Sequence, residues 1–177
     1  MKSCKIAIAA VLACAAAGSQ AQSAGPTDPQ IAAIVVTANQ VDIDAGKLAM
    51  SRNQSKDVKA FAQEMVKDHG AVNKSATALV HRLKVTPEAG DTSQSLKKGG
   101  DDNLTDLRKL NVTDFNRAYI DHEVTYHEAV LDPIDKTLIP NAKNAELKAL
   151  LEKSRPVFVE HLDHANRLQA SVGKTGG

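Results

Sequence analysis

Apolar residues recur at intervals of three and four along four stretches of the chain, a spacing that predicts four amphipathic helices, each with one buried stripe. The first stripe is Val35, Ala38, Asp42, Ala45 and Ala49. It follows Asp28-Pro29, where a capping side chain precedes a proline whose missing N–H costs nothing in a first turn. This helix runs to about Met50 and gives way to the polar turn Ser51 to Ser55. The second stripe, Val58, Ala62, Met65, His69, Val72, Ala76, Leu79 and Leu83, belongs to a long helix that Pro87 and Gly90 stop. A third, capped by Thr113, carries Ile120, Val124, His127, Leu131, Ile134 and Leu138, with Phe115, Tyr119, Glu123 and Val130 on the same broad face, and ends at Pro140-Asn141. The fourth carries Leu147, Leu151, Ser154, Phe158, His161, Ala165, Leu168 and Val172, with Pro156 inside it.

Each such helix buries only one stripe, so the four must pack on one another, and an all-α bundle over residues 31–172 is the expected fold. Between the second and third helices, Val85 to Asn111 is rich in Gly, Asp, Ser and Lys and reads as a long connection with at most a short helix near Leu104, Leu107 and Leu110. Within it, Lys97-Lys98-Gly99-Gly100-Asp101-Asp102 reads as a surface turn; it lacks the preceding strand and the Gly-Lys-Ser/Thr of a phosphate loop. Two short hairpins flanking one long crossover are the ferritin-like four-helix connection, which makes the second and third helices parallel; a plain up-down-up-down bundle is the alternative topology.

The N-terminus changes the picture of where the protein works. Lys2 and Lys5 precede an apolar run from Ile6 to Ala17 and then Gly18-Ser19-Gln20-Ala21, the layout of a cleaved signal peptide over residues 1–21. Residues 22–30 then form a short linker, and residues 173–177 a loose tail. A rival reading takes Val11-Leu12-Ala13-Cys14 as a lipoprotein site with a lipid on Cys14. Either way the expected location is the periplasm or the outer membrane, and no later segment is apolar enough to span a bilayer.

Both cysteines, Cys4 and Cys14, fall in the signal, so a domain cut after Ala21 has neither disulfides nor thiolate ligands. Of the 22 basic residues two leave with the signal, so 20 face 21 acidic ones and the mature net charge is near −1. That balance argues against nucleic acid as a partner, because such proteins need a basic face. Monomer and homo-oligomer both stay open, and no catalytic triad or carboxylate pair can be defended from spacing.

The chemical oddity is that every stripe holds an ionisable residue where an aliphatic one belongs: Asp42, His69, His127 and His161, with Glu123 one turn from His127. Burying them alone is costly, so they must meet one another, water or a metal. With turns centred near Asn53 and Pro140, Asp42 falls level with Glu64-Met65, His161 with Ile120, and His69 with His127. All five then lie within about 11 Å along the axis at 1.5 Å per residue. Two readings follow. One is a hydrogen-bonded polar layer that fixes helix register in a non-catalytic envelope protein, which binds a partner or protects against stress. The other is a site for one divalent metal ion on Asp42, His69, Glu123, His127 and His161, since mixed N/O ligands suit zinc, iron, copper or nickel.

A ferritin-type di-iron site takes one Glu from each of two helices and a Glu-x-x-His pair from each of the others. Val66 and Phe158 stand three residues before His69 and His161, so both paired glutamates are missing and a di-iron oxidase is not expected. Glu160 and His164 read as a solvated face, and His122 and Tyr126 as boundary residues spaced to touch.

Three runs carry a family resemblance: Gly46-Lys-Leu-Ala49; Val58-Lys-Ala-Phe61-Ala-Gln-Glu-Met65-Val-Lys-Asp68-His69; and Phe115-Asn-Arg-Ala-Tyr119 leading to His127. From about Ile31 to Leu168 the chain resembles a bacterial domain-of-unknown-function family of exported proteins in the ferritin-like superfamily, whose members often bear an outer-membrane label. The resemblance implies the fold and no activity. Asn116 departs from the Asp that the family pattern has after Phe115.

Overall fold

The computed structural model describes residues 25–52 and 55–172, and among these it is helical with no strand. The predicted signal with Cys14, the tail 173–177, and Asn53-Gln54 of the first turn lie outside the described residues. Five helices follow one another: α1 Asp28–Ser51, α2 Lys56–Leu83, α3 Asp91–Lys109, α4 Val112–Pro133 and α5 Ala145–Val172. Beyond Pro133, α4 continues through a π-helical turn, Ile134–Leu138, and a last turn, Ile139–Asn141.

The helix starts follow from local chemistry. Thr27, not Asp28, caps α1 in a capping box with Gln30. Asp28 does other work: its carboxylate accepts the Lys143 and Asn144 N–H groups at 2.8 and 2.9 Å, pinning the α4–α5 turn to the start of α1. Ser55 caps α2, and Asn111, rather than Thr113, caps α4 through the Asp114 N–H. Asn144 accepts the Glu146 and Leu147 N–H groups at the start of α5. At the opposite end of α1 the Arg52 guanidinium donates to the Leu110 carbonyl and lies 5.0 Å above the Phe115 ring.

Side-chain contacts set the register. Asn73 donates to the Val36 carbonyl and His69 meets Asn39, so α1 and α2 run antiparallel. Arg82 pairs with Glu146 and Glu64 with His164, so α2 and α5 run antiparallel. Arg155 pairs with Asp135 and Gln169 donates to Asp121, so α4 and α5 do the same.

The connection between α2 and α4 departs from expectation. In place of a mostly irregular segment it holds the 19-residue α3, which lies chiefly along α1. The supposed Lys97–Asp102 surface turn is helix interior, where Lys97 pairs with Asp101 and Lys98 with Asp102 one turn on. Gly100 lets α3 approach: a Cβ there would stand 2.7 Å from Val41 Cγ2.

The core is not one block. One apolar cluster gathers Ile31, Ile34, Val35, Ala76, Leu79, Val130, Ile134, Leu151 and Phe158. A second gathers Ala45, Ala49, Phe61, Met65, Phe115, Tyr119, Ile120 and Ala165. On α1, α2 and α5 the boundary between them falls at Asp42, His69 and His161; on α4 it falls around Glu123 and His127.

Candidate metal centre

All five sequence-predicted residues are at this boundary and none sees solvent: Asp42, His69, Glu123 and His127 are 0% exposed and His161 is 1%. They converge as expected. The His69 ring lies 5.6 Å from that of His127 and 4.9 Å from that of His161, and the His127 and His161 rings are 5.5 Å apart. One ligand atom from each of the three histidines lies within 4.8 Å of the others, and so does one from each of Asp42, Glu123 and His127. The register differs from the simple arithmetic. His161 sits beside His127 rather than level with Ile120, because helix persists to Asn141 and the turn is centred beyond Pro140.

The hydrogen bonds decide which nitrogen of each imidazole is available. His69 Nδ1 is 2.8 Å from Asn39 Oδ1, and the Asn39 amide N–H is committed to the Val35 carbonyl, so His69 donates from Nδ1. His127 Nδ1 is 2.8 Å from the Glu123 backbone carbonyl, an acceptor only, so His127 also donates from Nδ1. His161 Nε2 faces Asp68 Oδ2 at 3.3 Å and donates to it. A neutral imidazole that donates from one nitrogen carries a lone pair on the other. His69 Nε2, His127 Nε2 and His161 Nδ1 are therefore bare acceptors, and each is buried without a hydrogen-bond partner on the protein.

The same holds for both oxygens of Asp42 and of Glu123. His69 Nε2 approaches Asp42 Oδ2 to 3.2 Å without hydrogen-bond geometry. Two acceptors held 3.2 Å apart repel unless a proton or a cation lies between them. That spacing is also close to the ~3.4 Å edge of a tetrahedral ion with bonds of about 2.1 Å. Each histidine thus has one nitrogen fixed by a second group and the other buried and unpartnered within the cluster, the pattern by which outer partners orient metal-ligating imidazoles.

A model of the family described as a domain of unknown function, DUF4142, matches residues 13–168. The chain belongs to the DUF4142 family. No curated protein and no solved structure matches it.

The electrostatics of this DUF4142 chain favour neutral groups while no cation is bound. Burial pushes the Glu123 carboxyl up to about 8, against the lowering influence of the neighbouring Asp42 and Tyr119 side chains. Asp42 is raised well above an ordinary carboxyl, first by burial and then by the facing Glu123 charge. Burial lowers His69, and the neighbouring His127 and His161 lower it further. His127 falls to about 4 for the same first reason. His161 is lowered by burial despite the Asp68 carboxylate beside it. Imidazoles that resist protonation present their lone pairs across the neutral range.

Phe158 occupies the position where a ferritin-type site would have a glutamate, and its ring packs 4.9 Å from His69 and 5.9 Å from His127. Val66, the other such position, abuts Gly46. On the far side of Phe158 and Asn39 lies an apolar cavity of about 70 Å³, walled also by Val35, Leu151 and the π-helical residues Ile134 and Leu138.

Three residues in contact with the cluster or its rim escape a reading by stripes. Asn39 is 1% exposed and orients His69, yet an asparagine one turn before Asp42 carries no distinctive spacing. Asp68, next to His69 in sequence, serves His161 from across the α2–α5 interface. His164, read as part of a solvated face, is about one-third exposed and pairs with Glu64 at 2.8 Å, with its ring edge-on to Phe61. Its spacing of three from His161 was the available signal. His122 and Tyr126 stack as their spacing suggested, and the Tyr126 hydroxyl donates to the Ala38 carbonyl.

Proposed function

We propose that this protein is an exported, ferritin-like helical bundle that holds one divalent transition-metal ion in a closed centre. The ligands come from His69, His127 and His161, with Asp42 and Glu123 supplying oxygen. The observation that carries this reading is the set of three buried imidazole nitrogens without a hydrogen-bond partner, each on a ring held by a bond at its opposite nitrogen, in a cluster that also contains two buried carboxyls. Nitrogen-rich mixed ligands select zinc, copper, nickel or ferrous iron over magnesium or calcium.

The ferritin-like topology rests on register. With α1–α2, α2–α5 and α4–α5 all antiparallel, α2 and α4 run the same way, and the chain between them must climb the bundle. In this reading α3 is the climbing segment. Export rests on the N-terminal sequence, and the described helices agree with a protein that is released or tethered, since none is long and apolar enough to cross a membrane. No residue is assigned a catalytic role: the centre's ligands have at most 1% exposure, which suits retention of an ion better than turnover of a bulky substrate.

A metal-free polar layer is the second reading, favoured by the raised Asp42 and Glu123 carboxyls, which can share a proton. Elemental analysis of protein purified without metal-affinity chromatography separates the two. The metal centre requires about one zinc, copper, nickel or iron per chain. A free ion at 100 times its dissociation constant adds about 2.7 kcal/mol, which for a chain of this size raises the melting temperature by roughly 5–10 °C. A melt unchanged by chelator, with only traces of metal, would leave the polar layer.

A further inference from the structure

Resting on that centre, we propose a second, shallower cation site at its rim, formed by Glu64 and Asp68 of α2 with His161 and His164 of α5, through which the ion enters.

The buried ligands offer few ways in. His69 turns its second nitrogen to Asn39, itself 1% exposed, and His127 turns its own to a backbone carbonyl. His161 differs. Its Nδ1 belongs to the bare inner set, while its Nε2 faces Asp68, whose side chain is 28% exposed. A single ring, itself almost wholly buried, therefore has one nitrogen in the centre and one at the rim.

The rim is equipped to hold a cation. One ligand atom from each of Glu64, Asp68 and His161 lies within 4.8 Å of the others. His164 Nδ1 is 2.8 Å from Glu64 Oε2, and both side chains are about one-third exposed. Glu64 and Asp68 are one turn apart on α2, and His161 and His164 one turn apart on α5, so the four line one seam. The present competitor is Lys67, whose Nζ lies 3.2 Å from the other oxygen of Asp68 and is otherwise solvated. An arriving dication displaces that ammonium, binds the two carboxylates and His164, and passes inward as the His161 ring turns to offer it a nitrogen.

The test uses the full chain stripped of metal and mixed with Co²⁺, followed by stopped-flow absorption. The nitrogen-rich inner centre is read from the final visible spectrum. In E64Q/H164A the final spectrum and a stoichiometry of about one ion per chain are retained, but the rate of its appearance falls about tenfold, the size of effect expected when a focusing charge is lost from a cleft. In K67Q, where the competitor is gone, the rate rises. Loading of both variants at the unaltered rate overturns the entry route. Loss of the final spectrum in E64Q/H164A with the fold intact also overturns it, because Glu64 or His164 would then be a ligand of the centre itself. If E64Q/H164A does not fold, K67Q decides alone. If the unaltered protein takes up no Co²⁺ at equilibrium, the buried centre fails first, and the route with it.

Discussion

At the residue scale the decisive property is which atom of each imidazole is free. Asn39 makes this testable without touching a ligand. In Asn39→Leu the side chain keeps its shape but no longer accepts from His69 Nδ1. His69 can then shift its proton toward the centre, and the expected cost is about 10–100-fold in zinc affinity by competition titration. An unaltered affinity would mean that His69 is not a ligand. The residues that were legible in the sequence were those that broke a stripe: Asp42, His69, Glu123, His127 and His161 each stood out as a charge among aliphatics. Their orienting partners were not legible. Asn39 looks like any helix asparagine, and Asp68 acts across an interface onto a helix more than 90 positions away. The Glu123 contribution to orientation is a backbone carbonyl, which no side-chain pattern announces.

At the element scale, four stripes were enough to predict α1, α2, α4 and α5, because each buries one face. α3 was not predicted in full, since its composition is polar and two glycines sit at its middle. Only Ser93, Gly100 and Leu107 of this helix are buried. Helix formation there depends on packing against α1 and on lysine–aspartate pairs at one-turn spacing, neither of which is an apolar period. The two kinds of helical glycine should answer oppositely to alanine. Gly70 has open space where a Cβ would go, so Gly70→Ala gains about 0.5–1 kcal/mol from reduced backbone entropy in the unfolded chain. Gly100→Ala drives a methyl into Val41 and costs about 1–3 kcal/mol, as overpacking does. Urea midpoints of the two variants should move in opposite directions, and a stabilised Gly100→Ala would show that α3 does not rest on α1. The π-helical turn at Ile134–Leu138 explains the register error at the fourth helix. One extra residue in the ladder, together with helix through Asn141, moves the hairpin centre beyond Pro140 and brings His161 to His127 instead of Ile120.

For the whole molecule, the consequence of a polar layer between two apolar clusters is a stability that depends on pH in opposite senses with and without metal. Glu123 rises from 4.5 unfolded to about 8 folded, so between those values the metal-free folded state binds more protons, and its stability falls as pH rises. His127 falls from 6.5 unfolded to about 4 folded, so between those values the unfolded state binds more protons, and stability is lost on acidification. His69 acts in the same sense as His127, and Asp42 in the same sense as Glu123. The opposing slopes overlap between pH 4.5 and 6.5; above 6.5 only the carboxyl slope remains. Metal-free protein should therefore melt lower at pH 8 than at pH 6.5. Metal-loaded protein should do the reverse, because the ion requires deprotonated carboxylates and its affinity climbs as they lose their protons. Parallel melting profiles with and without chelator would contradict this linkage. The bundle class was legible from periodicity alone, and the meeting of all five groups followed from a crude register, because every long helix carried its polar residue near mid-length. The closed character of the centre was not legible, since it depends on Phe158, Tyr119 and Tyr126 filling the space around it.

The most direct measurement is an anomalous-scattering map at the zinc edge from crystals of zinc-reconstituted protein. The account predicts one strong peak within bonding distance of His69 Nε2, His127 Nε2 and His161 Nδ1, with Asp42 or Glu123 completing the shell. A map with no peak among those atoms, or with zinc only at surface side chains, would contradict it.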